Sequence, residues 1–201
     1  MGTGRRLLFG PIGALLLAVG ICGLSLVVPG YSQVRQTVSE IGEEGSPMRW
    51  AFTGLLCVVA AGILVFAAGL DGVARRTGRS RWPAWITAWM AVSAAGVGVF
   101  AFPHPLHNVF GLSELIGYQA PLVLALAWRR DPDAGEAVAI SRLMAVVVWV
   151  AIAVNLVSLF RDPVVWPALK PVYGLAQRAL FASWIGWAAW LGVRLYRGRS
   201  A

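Results

Sequence analysis

Glu114, Gly117, Tyr118 and Pro121 recur at i, i+3, i+4 and i+7, which places a carboxylate and a phenol on one helical face inside an apolar stretch. A carboxylate there must face a partner or a wet cavity, because a charge facing lipid is expensive. The basic groups available to it are Arg178, Arg35 and Lys170. The pattern therefore reads either as an ion pair locking two helices, with Arg178 the first-choice partner, or as a pocket. Glu40 and Glu114 have the chemistry of a general acid/base. Arg35 and Lys170 have that of an anion holder. His107 is the third catalytic candidate, since Ser39, His107 and Glu114 make a hydrolytic triad on paper; no nucleophile-elbow sequence accompanies them. The chain has only two histidines, His104 and His107, and no helix-borne metal motif. A catalytic zinc usually takes three protein ligands, so no metal and no cofactor is assigned. Histidines bonded to backbone in a loop cap are the expectation.

Polar residues within apolar segments are costly and tend to be paired or functional. Here they collect at one depth: Ser25, Thr53, Ser113 with Glu114, Asn155 with Ser158, and Gln177 with Arg178. The candidate ligand surface drawn from that end comprises Tyr31, Arg35, Ser39, Glu40, His104, His107, Glu114, Tyr118, Asn155, Lys170 and Arg178.

The elements that must hold these groups are membrane helices. The 201 residues are 58% hydrophobic and 13% charged, whereas a soluble domain is roughly half apolar and about a quarter charged. Six segments approach the roughly 20 apolar residues a span requires: about 7–28, 50–70, 82–102, 109–128, 143–160 and 175–195. They use most of the chain, so one membrane domain over 1–201 is expected. The architecture is an all-α, polytopic bundle of six transmembrane helices. The first segment follows Arg5 and Arg6, but it is longer than a signal peptide's apolar core and no clear cleavage site follows, so it reads as a retained helix. Cys22 and Cys57 fall inside spans and read as packing residues.

The net charge of +8 does not imply nucleic acid, because the basic residues lie in short clusters between spans. One set of helix ends carries Arg5, Arg6, Arg75, Arg76, Arg79, Arg81, Arg129, Arg130, Arg142, Arg194, Arg197 and Arg199; the other carries Arg35, Arg49, Arg161, Lys170 and Arg178. The richer set is expected in the cytoplasm. This gives a multi-pass cell-membrane protein with both termini cytoplasmic and the polar cluster at the outer surface.

Small residues spaced four apart, Ala91 with Ala95, Ala182 with Gly186 and Ala188 with Gly192, allow close helix approach. The stripes Trp82, Trp85, Trp89 and Trp184, Trp187, Trp190 read as interface belts and packing. In the first outer loop Val34, Val38 and Ile41 recur at i, i+4 and i+7 after Ser32, a candidate N-cap. This predicts a short amphipathic helix, with Arg35 and Ser39, and Gln36 and Glu40, each one turn apart on its other faces.

That loop also carries a resemblance. Pro29-Gly30-Tyr31-Ser32, Arg35, Thr37-Val38-Ser39-Glu40-Ile41-Gly42 and Gly45-Ser46-Pro47 before a second span resemble the start of a bacterial and archaeal membrane family, domain of unknown function 998. The resemblance implies a membrane protein of about six helices. It carries no activity. The second outer loop departs from the family pattern, with His104 where many relatives have an aspartate near the Phe-Pro.

Three functions are compatible with these observations. The first choice is a non-catalytic membrane component that binds lipid, a membrane protein partner or a second copy of itself through its outer end. The alternative is a membrane-embedded enzyme acting on a lipid or isoprenoid at the outer leaflet. A small transporter is third, because transporters place polar groups and broken helices near the midplane.

Overall fold

The computed structural model describes residues 2–161 and 163–198. Arg199, counted above with the basic set, lies outside them. Six long helical rods organise the described residues: α1 Thr3–Val27, α2 Arg49–Thr77, α3 Trp82–Val99, α4 Pro105–Ala127, α5 Gly135–Phe160 and α6 Tyr173–Arg197. Among the described residues there is no strand. Each rod overlaps an apolar segment expected from the sequence. Four of them, α1, α2, α4 and the rod containing α5, are long and apolar enough to cross a membrane. The other two are less apolar along their length: α3 has no charged residue but carries Pro83, Thr87, Ser93 and three tryptophans, and α6 carries Gln177, Arg178 and Arg194.

The rods pack in ring order, each on its sequence neighbours, with α6 returning onto α1. The α1–α6 contact is close: a Cβ on Gly10 would lie 2.5 Å from the Ala188 carbonyl oxygen, and one on Gly192 would collide with the Leu7 carbonyl. The Ala188–Gly192 pair thus serves helix approach as expected. Ala182 and Gly186 do not; both are exposed and nothing lies against Gly186. The tryptophan stripes also differ. Trp82, Trp85 and Trp89 point outward, whereas Trp184 and Trp187 are buried. The Trp187 Nε1–H donates to Ser141 Oγ at 2.8 Å, which satisfies the polar handle of a buried indole.

Helix ends sort into two groups. At the basic end Arg79 meets Asp131 at 2.5 Å, Asp71 receives Arg75 and Arg81 at 2.8 and 2.5 Å, and Arg194 pairs with Glu136. The Arg79 guanidinium, bonded to Asp131, holds that carboxyl below its ordinary pKa. These pairs tie the α2–α3 and α4–α5 connections together, consistent with plain connectors.

At the opposite, cap end, the first loop does not form the expected amphipathic α-helix. One turn closes at Ser32, whose carbonyl accepts from Gln36 N–H at 2.8 Å, and a separate 3-10 helix spans Val38–Gly42. Val38 and Ile41 are buried as expected, but Val34 is 43% exposed. The reason is local. Thr37 and Glu40 form a capping box: Thr37 N–H and Oγ1–H both donate to Glu40 Oε1 at 2.8 Å. Thr37, not Ser32, therefore starts the helical turn, and the chain is extended there (φ −68°, ψ 156°). That break rotates Val34 off the apolar face.

Candidate functional site

The backbone of α4 shapes the site. Pro121 has no N–H, so the Gly117 carbonyl lacks its usual helical donor. Trp184 Nε1–H of α6 supplies one at 3.0 Å. Two residues earlier, Gln119 N–H bonds to Ile116 O instead of Leu115 O, and the Gln119 side chain donates to Leu115 O at 2.8 Å. The helix is thus interrupted at Tyr118–Gln119 with its carbonyls satisfied. Its cap-end half, Pro105–Gly117, packs on α3, and its other half, Ala120–Ala127, packs on α5 as well. Gly117 permits the first contact, since a Cβ there would lie 2.6 Å from Met90 Cβ. Ser93 and Ser113 hydroxyls bond at 2.6 Å, and Trp89 Nε1–H donates to Ser113 O at 3.1 Å.

A cavity of about 940 Å³ lies where the cap-end half of α4 leans away from α5, near the upper end of the roughly 300–1,000 Å³ typical of ligand pockets. Its body is apolar, lined by residues such as Leu17, Phe52, Ile63, Met90, Leu156 and Leu180. Trp184 and Ile185 mark its depth, and the basic-end loops do not line it.

Eight of the eleven candidate ligand residues line this cavity: Arg35, Ser39, Glu40, His107, Glu114, Tyr118, Asn155 and Lys170. Tyr31, His104 and Arg178 do not. Tyr31 and Arg178 instead pin the first loop to α6. Arg178 Nη2 donates to Tyr31 Oη at 2.7 Å, Nη1 donates to the carbonyls of Gln36 and Gly174 at 3.0 Å each, and Tyr31 O–H donates to Thr37 O at 2.7 Å. Val38 N–H adds a bond to Gln177 Oε1 at 2.6 Å. Burial pushes the Tyr31 phenol pKa up despite the neighbouring Arg178.

The expected Glu114–Arg178 ion pair is therefore absent. The rotational setting of α6 turns Arg178 to the loop rather than to α4. Glu114 lies within 3.5 Å of the Tyr118 hydroxyl, which donates to it, and no ion pair among the described residues involves Glu114. Gln36 and Glu40 do meet one turn apart, Nε2 to Oε2 at 2.9 Å. With Thr37 on its other oxygen, Glu40 is fully engaged in the loop. No hydrogen bond joins Arg35 to Ser39; Ser39 shares one with Thr37 at 3.1 Å.

Both histidines serve the backbone. His104 Nδ1 accepts from Leu106 N–H at 3.1 Å and caps α4, and His107 Nδ1–H donates to Phe100 O at 2.8 Å. Ser39, His107 and Glu114 share the cavity without a hydrogen bond among them. Asn155 Nδ2–H donates to Ala151 O and Ala176 O at 2.8 and 3.1 Å, bridging α5 and α6.

Lining residues outside the candidate set include Glu43, Asn108, Gly111, Arg161 and Trp166. Arg161 had a signal, as a basic residue directly after an apolar span. It ends α5 with φ 46°, the left-handed conformation of a helix C-cap. Arg35, Arg161 and Lys170 are exposed at the mouth and join none of the ion pairs among the described residues.

A ring of six helical rods, four of them long and apolar enough to cross a bilayer, around a cavity that the basic-end loops do not line, defines the class: a helical membrane protein. The chain belongs to the family described as "Protein of unknown function (DUF998)", whose model matches residues 11–194. No curated protein and no solved structure matches the chain.

Proposed function

We propose that this is a six-span membrane protein with cytoplasmic termini that binds a membrane lipid in its cap-end cavity, facing the outside. The cavity carries the reading. It has an apolar body at helix depth and, at its mouth, three basic side chains, Arg35, Arg161 and Lys170, that join no ion pair among the described residues. This suits an amphiphile with its tail inside and a phosphate-bearing headgroup at the surface. The basic residues of the opposite end support the orientation. The lining stops short of the basic end, which favours a binding site over a transport pathway.

Native mass spectrometry of the protein purified in mild detergent tests this. Bound phospholipid at one per chain is expected. Ala94, which lines the wall, is the position to fill, and Ala94→Phe should lower occupancy while the protein stays folded by thermal melt. Lipid-free wild-type protein, or unchanged occupancy in the variant, would sink the reading.

One observation favours an enzymatic second reading. Glu114 and Tyr118 put a carboxylate and a phenol on the cavity wall with no cation engaged. A general acid/base could sit there. Comparing lipids recovered from wild type and Glu114→Gln decides it: a chemically altered lipid only in the wild type means turnover, and identical lipids mean binding alone.

A further inference from the structure

We infer that the cavity receives its lipid sideways from the membrane, through a portal between the cap-end half of α4 and α5; this rests on the lipid-binding reading above. The kink at Tyr118–Gln119 is held by built-in bonds from Gln119 and Trp184. It commits the cap-end half of α4 to α3, and the half beyond the kink is the one that packs closely on α5. The facing edges are Gly111, Leu112 and Leu115 on α4, and Ile152, Leu156 and Leu159 on α5; all line the cavity. None of these is charged. Leu112 and Leu159 are 53% and 61% exposed, so apolar surface continues from the outside of the bundle into the cavity. A Cβ on Gly111 would meet nothing within 4 Å, which leaves the α4 edge open.

The occupant follows from where the gap lies. It runs along helices of spanning length, below the charged mouth, where the surrounding solvent is hydrocarbon. What enters there is an acyl chain of a bilayer phospholipid. Its headgroup then slides along the surface to Arg161 and Lys170, and no polar group has to cross apolar protein. A lipid arriving from the aqueous side would instead have to pass tail-first between these charges.

The test uses the full chain in vesicles of phosphatidylglycerol containing a trace of the same lipid with a photoactivatable diazirine in its acyl chain. After illumination, adducts are mapped by mass spectrometry. Adducts are expected on Leu115, Ile152 and Leu156 inside the cavity, and on Val146 and Val150, which are exposed on the outer face of α5. Gly111→Trp should abolish the first group and spare the second, which controls for folding and reconstitution. Leu159→Trp narrows the gap from the other edge and should do the same, so the test survives failure of one variant to fold. Cavity adducts undiminished in both variants would overturn the portal. Adducts confined to Val146 and Val150 in the wild type, with lipid still co-purifying, would overturn the portal but not lipid binding. Confinement with no co-purified lipid would overturn both.

Discussion

The Tyr31–Arg178 latch makes a quantitative prediction, because it replaces the ion pair that the sequence suggested. Arg178→Met removes three donated hydrogen bonds, to Tyr31 Oη, Gln36 O and Gly174 O. Bonds from a charged donor contribute about 1.5–3 kcal/mol each. Two offsets reduce the sum. Gln36 O keeps the Tyr31 hydroxyl at 3.3 Å, and the substitution also removes Arg178 Nε, which is buried without a partner and costs about 1–3 kcal/mol as it stands. A net loss of about 2 kcal/mol is expected, which is about 4–8 °C in Tm for a chain of this size. Tyr31→Phe removes the acceptor of one bond and the donor to Thr37 O, and should cost about 1–2 kcal/mol. The double variant tests the contact itself, since residues sharing a bond are non-additive. Its loss should fall short of the summed single losses by about 1–2 kcal/mol. Denaturant titrations in mixed micelles, followed by tryptophan fluorescence, supply the cycle. Glu114→Gln combined with Arg178→Met provides the contrast and should be additive. Additivity for Tyr31 with Arg178, or coupling for Glu114 with Arg178, would refute the latch.

Other outcomes follow from particular contacts. Reporter fusions at Gly78 and Gly135 should read as cytoplasmic and those at Gly45 and Asn108 as external; an external signal at Gly78 would invert the orientation. Trp184→Phe strands the Gly117 carbonyl opposite Pro121 and should cost about 1–3 kcal/mol, and Pro121→Ala in the same chain should recover part of that by restoring an N–H; no recovery would mean that the indole bond is not what stabilises the kink. Glu43 has a raised pKa, first from burial and then from the Glu40 charge, so the folded state favours its protonated form: the stabilisation is full below the unfolded pKa and is lost as pH rises through the folded one. Glu43→Gln should therefore melt higher than wild type at neutral pH, with the difference vanishing below about pH 4; a constant difference across pH would contradict the assignment. Asp131 has the opposite sign: its lowered pKa means Asp131→Asn should melt lower at neutral pH, with the gap closing as pH falls through the folded pKa.

The rods were legible because span length is set by bilayer thickness and shows directly as apolar runs. The α4 face was legible too: Gly117 and Pro121 mark a close approach and a missing donor whatever surrounds them. The identity of that donor was not, since nothing local to Trp184 aims its indole at Gly117. The Arg178 partner was missed for the same reason. Several polar groups share its depth, and only the rotation of α6 about its axis chooses among them. The first loop is a different case. Thr37-x-x-Glu40 is itself a capping-box signature, but the apolar period beginning at Val34 masked it. The portal depends on one half of α4 packing closely on α5 while the other half does not, although both pack on α3, which no single-segment pattern encodes.

The most direct measurement of the central claim is a cryo-electron microscopy structure of the protein in phosphatidylglycerol nanodiscs. The account predicts acyl-chain density in the cavity, continuous with the surrounding lipid between Leu112 and Leu159, and headgroup density against Arg161 and Lys170. A cap-end half of α4 closed onto α5, with side chains filling the space, would contradict it.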